Sequence, residues 1–233
     1  MTDWKLRIGN FLFKYRSFTP LPFILLVFII FRPGDWGERN VLVNITGLLV
    51  SLVGELIRIL SVGFAFSGTS GRESFLRADN LNVSGIYSLL RNPLYFGNFL
   101  IFTGIVIVFS NPFALVLFSL FLIMQYYFVV LAEENYLRAK YGDAYETYCK
   151  RVNRIIPTFK GFRSNENPFN PKKVLFKEND SLFNLLVMYL LVLLYKERFF
   201  TGMVQRPWIY IVAGCILVVV YVTVKILKKR GTA

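Results

Sequence analysis

The chain has 233 residues, 55% of them hydrophobic and 18% charged, whereas soluble domains of this size average roughly a quarter charged and under half apolar. Two cysteines, Cys149 and Cys215, exclude a disulfide scaffold, and the complete absence of histidine removes the commonest general base near neutral pH, the Ser-His and Cys-His nucleophile pairs and every His-ligated metal site. A net charge of +13 would fit nucleic acid only if the basic residues gathered on a polar face or tail; here they lie between apolar runs, as loops at a membrane surface do, so neither a nucleic-acid partner nor a metal is expected.

The stretch to Arg16 lacks the apolar core of a cleavable signal peptide. The first apolar run, Phe18 to Phe31, opens with Pro20 and Pro22. The second, Val41 to Phe66, carries Glu55 and Arg58 in its interior. Three residues apart, they share a helix face and can pair, either as a bridge facing the bundle or as functional charges.

From Asn92 to Ala132 no charged residue occurs, and Asn111-Pro112 interrupts the run near its middle. Proline disfavours helical geometry in the residue before it and Asn-Pro initiates turns, so the run is predicted to be a hairpin of two spans, Pro93 to Ser110 and Pro112 to Ala132, each near the ~20 residues a crossing needs. Its two ends face the same side of the membrane, and Asn98 and Gln125 within it are expected to hydrogen-bond between helices.

Beyond the hairpin, Tyr141, Tyr145, Tyr148 and Val152 recur at spacings of four, three and four, which predicts an amphipathic helix. It either lies at the headgroup level or closes a pocket over the hairpin's mouth. Residues 161–180, rich in Asn and Pro, read as a linker, and Ser181 to Tyr195 and Trp208 to Val224 form a last pair of spans. The predicted fold is an all-α integral membrane protein of about six transmembrane helices with a cytoplasmic amphipathic helix after the fourth. It is organised as a core over 1–160, a linker over 161–180 and a C-terminal helix pair over 181–233.

Counting Lys and Arg in alternating loops places 21 on one side and five, Arg32, Arg39, Lys196, Arg198 and Arg206, on the other, with Arg58 inside a span. That partition predicts that both termini and the long loops are cytoplasmic, against an anionic lipid surface. Arg91 immediately precedes the hairpin and Glu133 immediately follows it. Two opposite charges, distant in sequence, therefore emerge together at one membrane surface, either as snorkelling flank residues or as a pair able to hold a zwitterion.

The stretch SGIYSLLRNPLYFGNFLIFTG, followed by EENYL and by YGDAYETYCKRVNRIIP, resembles the isoprenylcysteine carboxyl methyltransferase and phospholipid methyltransferase superfamily over about 84–157. GELIRI, residues 54–59, is a weaker upstream match. The resemblance implies an S-adenosylmethionine donor held between the hairpin's cytoplasmic end and the segment after the Glu pair; in keeping with it, the chain contains no G-x-G-x-x-G dinucleotide fingerprint. Carried over position by position, it implies catalytic roles for Arg91, Glu133 and Glu134 and cofactor contacts from Asn92, Pro93, Tyr95, Gly97, Glu133, Glu134, Tyr141 and Tyr145, with Gly142 and Tyr148 on the closing segment. A glutamate suits the donor's ammonium and an arginine its carboxylate, and aromatic faces such as Tyr95 or Tyr145 suit its sulfonium. Which glutamate meets the ammonium, and whether Arg91 serves donor or acceptor, stay open. Gly97 serves either close cofactor approach or helix packing.

Asn92 stands where the resembled family has histidine. Asparagine accepts no proton, and methylating an amine headgroup requires a proton to leave, whereas a carboxylate or phosphate oxygen is already anionic at pH 7. The expected activity is therefore methyl esterification of an anionic lipid-borne group. A lipid phosphate is favoured, as in bacterial relatives acting on lipid A, which implies a bacterial inner membrane; a prenylated cysteine carboxylate or a phospholipid amine is the alternative acceptor. Membrane sterol or enone reductases using NADPH share the C-terminal pattern and are a rival reading, and a small transporter or scaffold is a non-enzymatic one, against which no inverted repeat is visible.

Overall fold

The structure, a computed structural model, describes residues 3–66, 68 and 75–230. Arg72, counted above among the loop cations, lies outside them, as do residues 1 and 2 of the expected core. Among the described residues there are eight α-helices and no β-strand: α1 (Asp3–Tyr15), α2 (Pro20–Ile30), α3 (Asn40–Phe64), α4 (Pro93–Phe109), α5 (Pro112–Tyr141), α6 (Asp143–Arg151), α7 (Pro171–Thr201) and α8 (Pro207–Arg230).

Five of these helices begin at a proline, whose fixed φ and missing N–H suit the first helical position. Before two of them an asparagine caps the end: Asn111 Oδ1 accepts from the Ala114 N–H at 3.0 Å and Asn170 Oδ1 from the Lys173 N–H at 2.8 Å. Asn111-Pro112 thus turns the chain from α4 into α5, with Ser110 left-handed at φ 66°, and the expected hairpin forms.

Its second arm differs from the expectation. Nothing interrupts the helix at Ala132, so α5 continues for 30 residues until Gly142, whose φ of 50° ends it. Glu133, Glu134 and Tyr141 therefore belong to α5, and only Tyr145 and Tyr148 sit on the separate nine-residue α6. Likewise α7 starts at Pro171, well inside the segment whose composition reads as a linker.

Among the described residues three helices are long and apolar enough to cross a membrane: the segments Gly37–Phe64, Pro112–Tyr141 and Pro207–Arg230. The pair α1 and α2 makes a fourth if taken as one span bent by 84°. At 11 residues, α2 alone is too short for the first expected crossing, since at 1.5 Å per residue it covers only about half of the ~30 Å hydrocarbon layer. α4, with 17 residues, is apolar but also short.

α3 and α4 are the most intimately packed pair. A Cβ on Gly54 would come within 2.5 Å of the Gly97 carbonyl oxygen, and one on Gly104 would overlap Ser51 Oγ and the Gly47 carbonyl. Ser51 Oγ donates across the seam to the Ile101 carbonyl at 2.9 Å. This is the small-residue contact by which helices meet in an apolar solvent that gives no hydrophobic drive to association. The core beside it joins Ile24 and Val27 of α2, Val106 and Phe109 of α4, Phe118 and Leu122 of α5, and Leu185 and Val192 of α7. α8 packs on α7 and buries no residue.

The helices define two ends. At one, the α4–α5 turn meets the segment between α2 and α3: the Gly34 N–H donates to the Phe109 carbonyl at 3.1 Å and Asn111 Nδ2 to the Arg32 carbonyl at 2.9 Å. Lys196, buried on α7, donates there to the Val108 carbonyl at 2.9 Å and to Ser110 Oγ at 2.8 Å, a favourable place for a cation at a helix C-terminus. The other end holds Arg91, Glu133 and a cavity.

Candidate active site

The hairpin returns α5 beside the start of α4, so Arg91, Asn92, Pro93 and Tyr95 share one cavity wall with Glu133. The cavity comprises about 1090 Å³ of non-protein space with its open mouth included, and α3, the loop over 77–82, α6 and α7 complete it.

Glu134, the residue after Glu133, points elsewhere. It is fully buried and held by three guanidinium groups: Arg154 donates Nε to Oε1 at 3.0 Å and a terminal nitrogen to Oε2 at 2.6 Å, Arg91 lies at 3.2 Å and Arg138 at 3.6 Å. Arg138 also binds Glu146 of α6 at 2.7 Å. The bidentate Arg154 fork is the geometry guanidinium and carboxylate favour. A single carboxylate thus ties the start of α4, the end of α5, α6 and the 153–158 segment together.

That segment is tied down by the backbone as well. The Arg91 N–H donates to the Asn153 carbonyl and the Thr158 N–H to the Leu89 carbonyl, each at 2.9 Å. Asn92 Nδ2 donates to the Arg154 carbonyl at 3.1 Å. The asparagine that stands in histidine's place therefore fixes the strap that carries Arg154.

Among the described residues two buried atoms at this wall have no hydrogen-bond partner, Arg91 Nε and Glu133 Oε2. Buried polar atoms are seldom left unmade because each loses its hydration without compensation. Here a cationic and an anionic group each hold a free valence on one cavity.

Tyr145 and Tyr148 of α6 are buried and line the cavity, packed with Leu81, Val83 and Leu137. Burial pushes both phenols far above their ordinary range, so they stay neutral at any working pH and present ring faces and hydroxyls. The Tyr148 hydroxyl donates to the Tyr87 carbonyl at 2.7 Å, pinning α6 to the loop before α4. Tyr148→Phe is expected to lower stability by about 1 kcal/mol, read as a small fall in the unfolding midpoint of detergent-solubilised protein with donor-analogue affinity nearly unchanged.

Of the sequence-derived set, Arg91, Asn92, Pro93, Tyr95, Glu133 and Tyr145 line the cavity, and Glu134, Gly97 and Tyr141 do not. Gly97 faces α3, where a Cβ would stand 2.7 Å from Arg58 Cγ and from the Gly54 carbonyl oxygen. It serves helix packing. Tyr141, one helix away from Tyr145, donates its hydroxyl to the Ala78 carbonyl at 2.7 Å and anchors the preceding loop.

Arg58, flagged by the GELIRI match and by its spacing from Glu55, lines the cavity, whereas Arg16, Lys173, Lys177 and Glu178 had no motif to reveal them. Arg58 binds Glu178 of α7 through Nε at 2.9 Å and a terminal nitrogen at 2.7 Å, and also binds Asn98, while Glu55 accepts from Ser181 of α7 at 2.7 Å. The two charges of α3 thus reach across to α7. Arg16, Lys173 and Lys177 complete the set. Burial and the neighbouring Lys177 ammonium both hold Lys173 below the usual lysine range. The lining includes Arg16, Arg58, Arg77, Arg91, Lys173 and Lys177 and two carboxylates, Glu133 and Glu178, with Arg77 paired to Asp79 and Arg91 to Glu134 beside it.

The family model described as phospholipid methyltransferase matches residues 42–144, the stretch from α3 to the start of α6. Similar proteins include "Probable protein-S-isoprenylcysteine O-methyltransferase" of Oryza sativa subsp. indica, 31% identical over 118 residues that cover 49% of this chain and 61% of the rice protein. The protein-S-isoprenylcysteine O-methyltransferase of Schizosaccharomyces pombe is 39% identical over 80 residues, 34% of each chain. That of Tribolium castaneum is 31% identical over 137 residues, 57% of this chain and 47% of its own. The chain spans about three-fifths of the length of the rice relative. No solved structure matches. The matched segment holds the hairpin, Arg91 and both glutamates, and over it the chain is similar to phospholipid and isoprenylcysteine carboxyl methyltransferases.

Proposed function

We propose that the protein is an S-adenosylmethionine-dependent O-methyltransferase that esterifies the carboxylate of a lipid-modified acceptor of the S-prenylcysteine class at the cytoplasmic face of a membrane. The observation that carries this reading is the pair of unpartnered buried atoms, Arg91 Nε and Glu133 Oε2, on one cavity wall. They suit the carboxylate and the ammonium at the donor's amino-acid end, which meet their charges at hydrogen-bonding range in a partly dry site. Glu134 is engaged by three arginines, so Glu133 is the glutamate left for the donor, and Glu134 orients Arg91. The rings of Tyr95 and Tyr145 offer faces to a sulfonium cation.

When bound, the donor supplies an electrophilic methyl group: the acceptor oxygen forms the new C–O bond as the C–S bond breaks, and the electron pair leaves with sulfur. A carboxylate is already deprotonated at pH 7, so no proton moves and no base is required. The absence of histidine accords with this. What remains for the protein is alignment and exclusion of water, which the strap over 153–158 and the buried Tyr145 and Tyr148 of α6 favour.

The preponderance of cations in the cavity supports an anionic acceptor over an amine. The relatives named as isoprenylcysteine methyltransferases support a carboxylate over the lipid phosphate that the sequence favours, and they come from a plant, a yeast and an insect. In this reading α4 and α7 complete a bundle of about six crossings, and the cavity end and both termini face the cytoplasm, as the partition of basic residues requires.

The test is purified protein in nanodiscs supplied with labelled donor and, separately, S-farnesylcysteine, a phosphorylated lipid and an amine lipid. Label is expected on the S-farnesylcysteine carboxylate. S-adenosylhomocysteine is expected to bind wild type, and Arg91→Ala to weaken that binding at least tenfold. Label on the amine lipid alone, or NADPH binding without S-adenosylhomocysteine binding, refutes the reading.

A further inference from the structure

The family match ends at residue 144, yet α7 forms one wall of the cavity. Its first two turns carry Lys173 and Lys177, four apart and therefore on one face, with Glu178 alongside. Two of these three are engaged. Lys173 Nζ donates to the Ala65 and Phe66 carbonyls at 2.6 and 3.5 Å, closing the C-terminus of α3. Glu178 accepts two hydrogen bonds from Arg58, whose third goes to Asn98.

Lys177 is half-buried on the cavity wall and has neither an ion pair nor a hydrogen bond among the described residues. An ammonium on a partly dry wall gains most from an anion at hydrogen-bonding range. No carboxylate among the described residues pairs with it: the nearest in sequence, Glu178, is occupied by Arg58. The turn that carries Lys177 is fixed on both sides, at Lys173 and at Glu178, so its ammonium is presented from a rigid wall.

Resting on the methyltransferase reading above, we propose that Lys177 is a specificity-determining residue that binds the acceptor's anionic head, the carboxylate or phosphate whose oxygen takes the methyl group, while Arg91 and Glu133 hold the donor. Acceptor choice is then encoded in α7, outside the matched family segment, and donor binding inside it. The two roles separate along the chain.

The experiment measures acceptor KM at saturating donor for the full chain in nanodiscs, with S-farnesylcysteine in one arm and a phosphorylated lipid in the other. Lys177→Met is expected to raise the KM of the accepted substrate about tenfold or more, the size of a lost charge-assisted hydrogen bond. Affinity for S-adenosylhomocysteine should stay unchanged, and Lys177→Arg should restore most of the loss. The arm that shows the shift identifies the anion as carboxylate or phosphate. Lys172→Met, an exposed neighbour, controls for surface charge. An unchanged KM in Lys177→Met with donor binding intact, or an equal rise in Lys172→Met, overturns the inference and leaves the methyltransferase reading standing. Wild type that neither binds S-adenosylhomocysteine nor methylates either acceptor overturns that reading itself.

Discussion

Glu134→Gln is expected to unfold or strongly destabilise the protein, whereas Glu133→Gln leaves it folded and unable to hold the donor. Glu134 is wholly buried and satisfies Arg91, Arg138 and Arg154 at once. Removing its charge leaves three guanidinium groups around a neutral amide, and breaking a buried ion pair by deleting one partner costs about 3–5 kcal/mol. The lower end applies, because Arg138 and Arg154 keep 40% and 34% of their side-chain surface exposed and water screens them. A fall of roughly 6–12 °C in the unfolding midpoint corresponds to that loss in a chain of this size.

Glu133 has the opposite profile. Its Oε2 is buried with no hydrogen-bond partner among the described residues, so neutralising the group removes a poorly solvated charge and holds or raises stability. On the proposed reading the donor's ammonium loses its counter-charge, and affinity for S-adenosylhomocysteine is expected to drop at least tenfold, a charge-assisted hydrogen bond being worth about 1.5–3 kcal/mol. Thermal unfolding and calorimetric titration of both variants decide the matter. A crossed result, with Glu133→Gln unfolded and Glu134→Gln stable but unable to bind, would reverse the two assignments.

The second large effect concerns the α3–α4 seam. At Gly104 even a Cβ overlaps Ser51 Oγ and the Gly47 carbonyl, and a carbonyl of the facing backbone cannot rotate aside. Gly104→Leu must push the helices apart, which breaks the Ser51–Ile101 hydrogen bond and separates Asn98 of α4 from Arg58 of α3. Overpacking a filled interface costs about 1–3 kcal/mol, and the lost hydrogen bond about 1 more. The expected outcome is a sharp fall in monodisperse protein on size exclusion and weakened donor binding in whatever folds. Gly214→Leu on α8 is the control, since nothing lies within 4 Å of its built Cβ; an equal loss there would show that bulk alone, and not the seam, is responsible.

The hairpin was legible because Asn111-Pro112 carries its own physics: a cap, a fixed φ and a forbidden helical predecessor. The meeting of Arg91 with the Glu pair was legible for the same reason, since a hairpin must bring its ends together. The end of α5 was not. Apolar composition stops at Ala132, but a helix stops only where its backbone is broken, and that is Gly142. Arg154 escaped notice because nothing local distinguishes it from Arg151 or Lys150; only the return of 153–158 across Leu89 and Arg91 brings it to Glu134. The Glu55–Arg58 spacing signalled interacting charges, but their partners Ser181 and Glu178 stand more than a hundred residues away.

Alone, the order of residues determined an all-helical membrane-type chain, a hairpin with opposite charges at its mouth, and a site poor in proton-transfer groups, because composition, periodicity and missing histidine are local properties. Which glutamate faces the cavity, which lysine has no counter-ion among the described residues and which glycine packs against a facing helix were decided by tertiary structure. Adjacent residues on a helix diverge by about 100°, so Glu133 and Glu134 point to different surroundings. What those surroundings are depends on the helices that fold against them.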